Sequence, residues 1–223
     1  MARLTILFDF TGKSRVGRCA DLLIKKGTNH NMKANGKKPT AAGKSSFDLI
    51  DVNKFFRELN LQQEISFLDL ACGRGAYCLA ASDIIGEKGR VFGVDLWEEG
   101  IELLNAAANQ RGADNISGLV SDAGKKIPVG DHSIDVCLMA TVLHDFVEDK
   151  IGQEVLQETA RVVKSNGMLA IMEFKKIDGP PGPPRHIRLS PEQVDDLLTP
   201  FGFKQEHVAD VGPYNYLLLY KKT

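Results

Sequence analysis

The sequence predicts an α/β fold: a doubly wound, Rossmann-like sheet of seven strands with an antiparallel last strand and helices on both faces. Three observations predict it. From residue 50 onward, short apolar runs alternate with amphipathic stretches of helical period. The run at 134–142, IDVCLMATV, is apolar on both faces, as a strand covered by helices on either side must be. The last two apolar runs, near 203–211 and 214–220, are joined only by Gly212-Pro213, a link too short for a parallel crossover.

Each element has its own warrant. Residues 50–61 place Ile50, Val52, Phe55, Phe56 and Leu59 roughly on one helical face. Residues 65–71, ISFLDLA, read as a buried first strand running into glycine. A helix at 76–85 closes at Gly86, and RVFGVDL at 90–96 is the second strand. Residues 97–110 form a helix with Ile101, Leu104 and Ala108 inward, stopped by Gly112. Third and fourth strands follow at 116–120 and 134–142. A helix over 150–164 carries Ile151, Val155, Thr159 and Val162 on one side and ends at Asn166-Gly167, before a fifth strand at 168–174. Ser190-Pro191-Glu192-Gln193 combines a cap, a first-turn proline and a capping-box glutamine, and opens a helix to about residue 200.

Composition narrows the function classes. With 223 residues the chain can bury a full core without staples. A net charge of −1 argues against a dedicated nucleic-acid binder. Four cysteines without paired C-x-x-C spacing argue against a disulfide scaffold or a zinc site, and read as the reduced thiols of a cytoplasmic protein. No apolar run reaches membrane-spanning length, and the apolar start at 4–8 is too short for a signal peptide.

The charge is unevenly placed. Residues 1–45 hold ten basic side chains against Asp9 and Asp21. From 27 to 46 large apolar residues are nearly absent, so burial cannot offset the entropy of ordering. Residues 1–46 are therefore expected to be a flexible basic lead-in, with the folded domain at 47–223. Met32 opens a plausible shorter protein, because Lys25-Lys26-Gly27 requires a purine-rich codon run resembling a bacterial ribosome-binding sequence. Residues 1–31 are accordingly expected to be non-native or dispensable.

The candidate site collects at the carboxyl ends of the strands. Asp69-Leu70-Ala71-Cys72-Gly73-Arg74-Gly75 ends the first strand. Gly73 and Gly75 allow a tight turn and close approach of a ligand, and the next helix aims free N–H groups at the same place. Cys78 stands where a nicotinamide fingerprint has its third glycine. A carboxylate at Asp69 would repel a pyrophosphate but favour an ammonium group, so a methionine-like moiety fits better. Asp95, 22 residues after Gly73, can accept from ribose hydroxyls or cap the following helix. Leu96 and Trp97 are placed to cover an adenine face, although Trp97 alone reads as a packing residue. Asp122-Ala123 can meet an adenine amino group or simply make a turn.

These segments resemble the class I S-adenosylmethionine-dependent methyltransferases, in particular the small-molecule, type 11-like group. LDLACGRG resembles the family's glycine motif, with Ala71 where a first glycine is common. VFGVDLWEEGI resembles its ribose-acid strand. VSDAGKKIPVGDHSIDVCLMATVLHD resembles its D-A…L-P…D-x-S-F-D segment, and ETARVVKSNGMLAIMEF its helix, glycine turn and fifth strand. The resemblance implies S-adenosyl-L-methionine as cofactor. It places Ala71, Gly73 and Gly75 at the methionine part, Asp95 at the ribose, Asp122 and Ala123 at the adenine, and Met139 and Ala140 behind the cofactor.

For the acceptor, neither a [DN]-P-P-[YF] motif nor a Pro-Cys dipeptide is present, which disfavours base-amino and cytosine-C5 chemistry. VLHDFVED resembles the HDW-type segment of plant O-methyltransferases, implying His144 as general base toward a hydroxyl; a pocket-lining histidine is the plainer alternative. Asp145, Glu148 and Asp149 read as a solvated acidic loop rather than a metal site. The proline-rich connector at 179–188 is long enough to cover an acceptor, with Arg185, His186 and Arg188 able to bind an anionic one; a stiff surface loop with solvated basic residues is the equal alternative. Arsenic chemistry is discounted because only Cys72 lies near the turn. The expectation is a cytoplasmic methyltransferase acting on a small molecule. The competing classes are an RNA methyltransferase tethered by the basic lead-in, a nicotinamide oxidoreductase, and a cofactor-binding module without turnover.

Overall fold

The computed structural model describes residues 43–223. The proposed shorter start at Met32 and nearly all of the basic lead-in lie outside the described residues. The described chain runs α1 (Val52–Leu59), β1 (Ser66–Leu70), α2 (Ala76–Ile85), β2 (Arg90–Asp95), α3 (Glu98–Arg111), β3 (Ile116–Val120), β4 (Ile134–Ala140), α4 (Leu143–Glu148), α5 (Gly152–Val162), β5 (Val163–Phe174), α6 (Pro191–Leu198), β6 (Phe203–Asp210) and β7 (Asn215–Lys222). The strands form one sheet in the order β3-β2-β1-β4-β5-β7-β6. All neighbours pair in parallel except that β7 runs antiparallel to both β5 and β6. The chain winds outward in opposite directions from β1 and β4, so the crevice between their carboxyl ends is the switch point where such sheets bind ligands.

Two apolar layers follow from the period of two along each strand. Leu68 and Leu70 of β1, Cys137 and Met139 of β4, and Ile171 of β5 enter one cluster. Their neighbours Phe67, Val136, Leu138, Ala170 and Met172 enter the other. The capping box read from the sequence at Ser190 is in place, and α1 has a cap that the sequence reading did not name. Ser190 Oγ accepts from the Gln193 N–H while Gln193 Oε1 accepts from the Ser190 N–H, and Asp51 accepts from the Lys54 N–H at α1.

The structure departs from the sequence reading at several places. The acidic segment after β4 is a short helix, α4, rather than a loop. β5 starts at Val163, five residues earlier than the apolar pattern suggests, because Val163 pairs with Ile134 before a register shift in the ladder. The first helix is shorter than the 50–61 pattern, since Asp51 caps it and Asn60 ends it in the left-handed region. Ahead of it, Ser46 is buried and its hydroxyl bonds to the Tyr77 hydroxyl at 3.1 Å.

Candidate active site

The turn after β1 holds Ala71, Gly73 and Gly75 at φ 61°, 57° and 74°, all left-handed. Gly75 is required by packing: a Cβ there would sit 2.3 Å from Leu104 Cδ1. Gly73 differs, because a Cβ there would meet nothing within 4 Å, leaving open space above its peptide for a ligand. Ala71 holds a conformation that costs an L-residue about 1–2 kcal/mol, a small strain stored in the turn. Asp95 ties the turn to α3: Oδ2 accepts from the Gly73 N–H and Oδ1 from the Trp97 N–H, both at 2.8 Å. Each carboxylate oxygen keeps a further lone pair with which to accept from a hydroxyl.

The neighbouring expectations separate. Leu96 is 57% exposed and has an open side chain. Trp97 is buried; its ring packs on Gly100, where a Cβ would lie 2.5 Å from Trp97 Cε3, and the Arg74 guanidinium sits 5.7 Å from its centroid. The structure thus places Trp97 in packing, and leaves Leu96 exposed just past the end of β2. Asp122 accepts from the Gly124 N–H and pairs with Lys125, with Ala123 half-buried beside it. Met139 is fully buried in the core, and Ala140, half-buried, reaches the strand end.

Asp69 lies inside β1 rather than beside the open turn, and is 1% exposed. This corrects the expectation of a freely presented carboxylate. Burial, foremost, pushes its carboxyl up to about 7; the Cys78 thiol, donating to Oδ2 at 3.4 Å, works against that, and the charge of Asp95 adds to it. Cys78 joins Cys72 near the turn: their sulfurs lie 2.9 and 3.0 Å from where a Gly93 Cβ would be. Two thiols therefore converge where the sequence suggested one. Burial is the largest of the causes that hold Cys78 protonated.

His144 sits on α4, just past the end of β4, and is 4% exposed. Its Nδ1 lies 2.7 Å from Glu173 Oε2, and its backbone N–H donates to Glu173 Oε1 at 3.2 Å. Glu173 is fully buried in β5 and was not singled out in the sequence. Its signal there was a lone carboxylate in the apolar run MLAIMEF. The Glu173 carboxylate facing Nδ1 favours the tautomer with its proton on that nitrogen, in which Nε2 is the acceptor. Nε2 faces Asp145 Oδ1 at 3.5 Å. Burial pulls the imidazole down, but the hydrogen bond and charge of Glu173 and the charge of Asp145 outweigh it, so its pKa is raised. Between β4 and α4, Thr141 adopts φ 54°, a strained value for a β-branched residue. Among the described residues, no group of three or more His, Cys, Asp or Glu is arranged to hold a metal ion.

The proline-rich connector leaves β5 next to Glu173. Arg188, expected from sequence to meet an anionic acceptor, is 1% exposed. Its Nε donates to the Pro183 carbonyl, Nη1 to those of Lys175 and Ile177, and Nη2 to those of Gly179 and Pro181. A guanidinium has five N–H donors, and all five go to this loop. The expectation for Arg188 is corrected accordingly. Arg185 and His186 are exposed, and Arg185 Nε donates to the Lys176 carbonyl.

A glycine turn tied to the acid of the next strand, at the switch point of a seven-stranded sheet with β7 reversed, defines a Rossmann-like ligand-binding domain. A methyltransferase-domain family model matches residues 61–207, and the chain belongs to this family. The crystal structure of a SAM-dependent methyltransferase from Aquifex aeolicus is 30% identical and covers 81% of this chain and 94% of its own, with TM-score 0.73. A demethylmenaquinone methyltransferase of Lactobacillus johnsonii is 26% identical over 164 residues, 74% of this chain and 63% of its own length. An arsenite methyltransferase of Halobacterium salinarum is 31% identical over 106 residues, 48% of this chain and 26% of its own. The chain thus spans less than two thirds of these curated relatives. No helix among the described residues is long and apolar enough to cross a membrane.

Proposed function

We propose that this protein transfers the methyl group of S-adenosyl-L-methionine to a hydroxyl of a small-molecule acceptor, with His144 as general base. The observation that carries the reading is the buried His144–Glu173 pair, 2.7 Å between Nδ1 and Oε2, at the carboxyl edge that also bears the open Gly73 turn. Family membership and the resemblance to a SAM-dependent methyltransferase support the cofactor. When bound, the cofactor supplies an electrophilic methyl group on a sulfonium. Gly73 would admit its methionine part to the turn, Asp95 would accept from its ribose, and Leu96 would cover its adenine. The relatives named demethylmenaquinone methyltransferase support a small-molecule acceptor.

In this reading His144 Nε2 takes the acceptor's proton as the oxygen becomes nucleophilic. Glu173 fixes the ring through Nδ1–H and balances the imidazolium charge that forms. The near-complete burial of His144 keeps water from competing for the base. Most of the acceleration comes from alignment of the two reactants, and the base contributes roughly 10²–10⁴-fold.

The test is a panel of phenols, catechols, quinols including demethylmenaquinol, and carboxylates, assayed with methyl-labelled cofactor. With the active acceptor, His144→Gln is expected to lower turnover at least about a hundredfold at neutral pH. The loss shrinks at high pH, where a phenol ionises unaided, while affinity for S-adenosylhomocysteine stays within about twofold. Near-normal turnover of His144→Gln on a phenol at neutral pH overturns the base assignment. Absence of cofactor binding overturns the whole reading.

A further inference from the structure

The guanidinium of Arg188 is an unusual core for a loop. Five carbonyls, from Lys175, Ile177, Gly179, Pro181 and Pro183, converge on its five N–H donors at 2.6–3.0 Å. The residue is 1% exposed, so these bonds are sheltered from water. The loop has little apolar burial of its own: residues 177–180 are exposed, and Pro181, Pro183 and Ile187 are only half-buried. The cation therefore does for this loop what a hydrophobic core does for a domain. Charge-assisted bonds of this kind are among the stronger ones in proteins.

The loop is coupled to the base through one ring. Phe174 follows Glu173 and lies against His144, with ring centroids 6.2 Å apart at 67°. Arg188 also stands 5.6 Å over the Phe174 ring. Gly182 presses on the same ring so closely that a Cβ there would lie 2.8 Å from its carbons. The C-terminal end of the loop is pinned separately, since the Tyr216 hydroxyl donates to the Leu189 carbonyl at 2.8 Å.

We infer that Arg188 is a positioning residue for His144: by gathering the 175–188 connector around its guanidinium, it holds that loop as a fixed wall that seats Phe174 on the imidazole. The inference rests on the reading of His144 as the base, which it extends to the residue that keeps the base in place. It makes the connector a preformed side of the acceptor site rather than a lid. It also explains why an arginine, buried beside a catalytic edge, has no donor left for a substrate. Lysine cannot substitute, because one ammonium has three donors on a single atom and cannot span five carbonyls.

The test uses the full chain and needs no acceptor. Arg188→Met and Arg188→Lys are compared with the unaltered protein by hydrogen exchange, by ring-nitrogen NMR of His144, and by calorimetry with S-adenosylhomocysteine. The expected result is amide exchange across 175–188 faster by at least about a hundredfold, with core strands unchanged. The His144 ring signals are expected to change from a single Nδ1–H tautomer to an exchange average, and lysine is not expected to restore them. Cofactor affinity should move less than about twofold, since Gly73 lies in the turn after β1 and Asp95 at the end of β2, away from the connector. Gly182→Val serves as the second variant if arginine replacement prevents folding: it keeps the guanidinium but drives the loop off Phe174, and the same His144 signature is expected. A His144 spectrum unchanged in the folded variants overturns the inference, as does full rescue by lysine. Those readouts are independent of methyl transfer, so failure of the His144→Gln experiment would sink the base assignment and leave this result legible.

Discussion

Asp69 places a measurable cost inside the sheet. It is buried in β1, its only hydrogen-bond partner among the described side chains is the Cys78 thiol, and burial foremost lifts its carboxyl from an ordinary 3.8 to about 7. In the unfolded chain the proton leaves near pH 4, whereas in the folded protein it stays until about pH 7. Unfolding between these values releases a proton, so stability is full below pH 4, falls as the pH rises, and levels off above 7. A change of that size corresponds to about 4 kcal/mol, an upper value for a single buried carboxyl. Asp69→Asn removes the titration while keeping the shape. It should match the unaltered protein near pH 4 and exceed it at pH 8 by at least about 5 °C in Tm, at 2–4 °C per kcal/mol for a domain of this size. Thermal or urea unfolding followed by circular dichroism at pH 4, 6 and 8 measures this in the absence of cofactor. A stability difference that does not change with pH would refute the reasoning, because it would mean the carboxyl is ionised at ordinary pH in the folded state.

Three further outcomes follow from the same geometry. Asp95→Ala loses the bonds to the Gly73 and Trp97 N–H groups and the contact expected to the ribose, so affinity for S-adenosylhomocysteine should fall at least about tenfold by calorimetry in a protein that still folds. Glu173→Gln removes the charge of Glu173 while Asp145 remains, so an NMR titration should find the His144 imidazole pKa lowered; because a raised histidine stabilises most when protonated, the accompanying stability loss should be greater at pH 6 than at pH 9. Gly75→Ala combines a φ of 74° with a clash on Leu104 and should cost about 2–4 kcal/mol in urea unfolding, whereas Ala71→Gly, relieving a left-handed alanine, should be neutral or better.

The sequence by itself determined those features that rest on neighbours along the chain. Alternating apolar periods set the strands and helices, and Gly212-Pro213 forced the last pair to be antiparallel. Glycines at 73 and 75 with an acid 22 residues on marked the turn and its brace, and Ser190-Pro191-Glu192-Gln193 marked a helix start. Each of these is a local steric or capping rule, legible at short range. Only the tertiary structure decided which polar groups meet. His144 and Glu173 are 29 residues apart, and they pair because β5 lies beside β4 in a register no local pattern specifies. Asp69 and Asp95 look alike as strand-end acids, yet one is sealed in its strand and the other braces the turn, because burial depends on what the sheet stacks around each. Arg188 read as a cation open to an anionic acceptor or to solvent, whereas in the structure five carbonyls of its own loop close on it. Hydrogen-bond partners and desolvation are properties of packed neighbours in space, and spacing along the chain carries them only when those neighbours are also near in sequence.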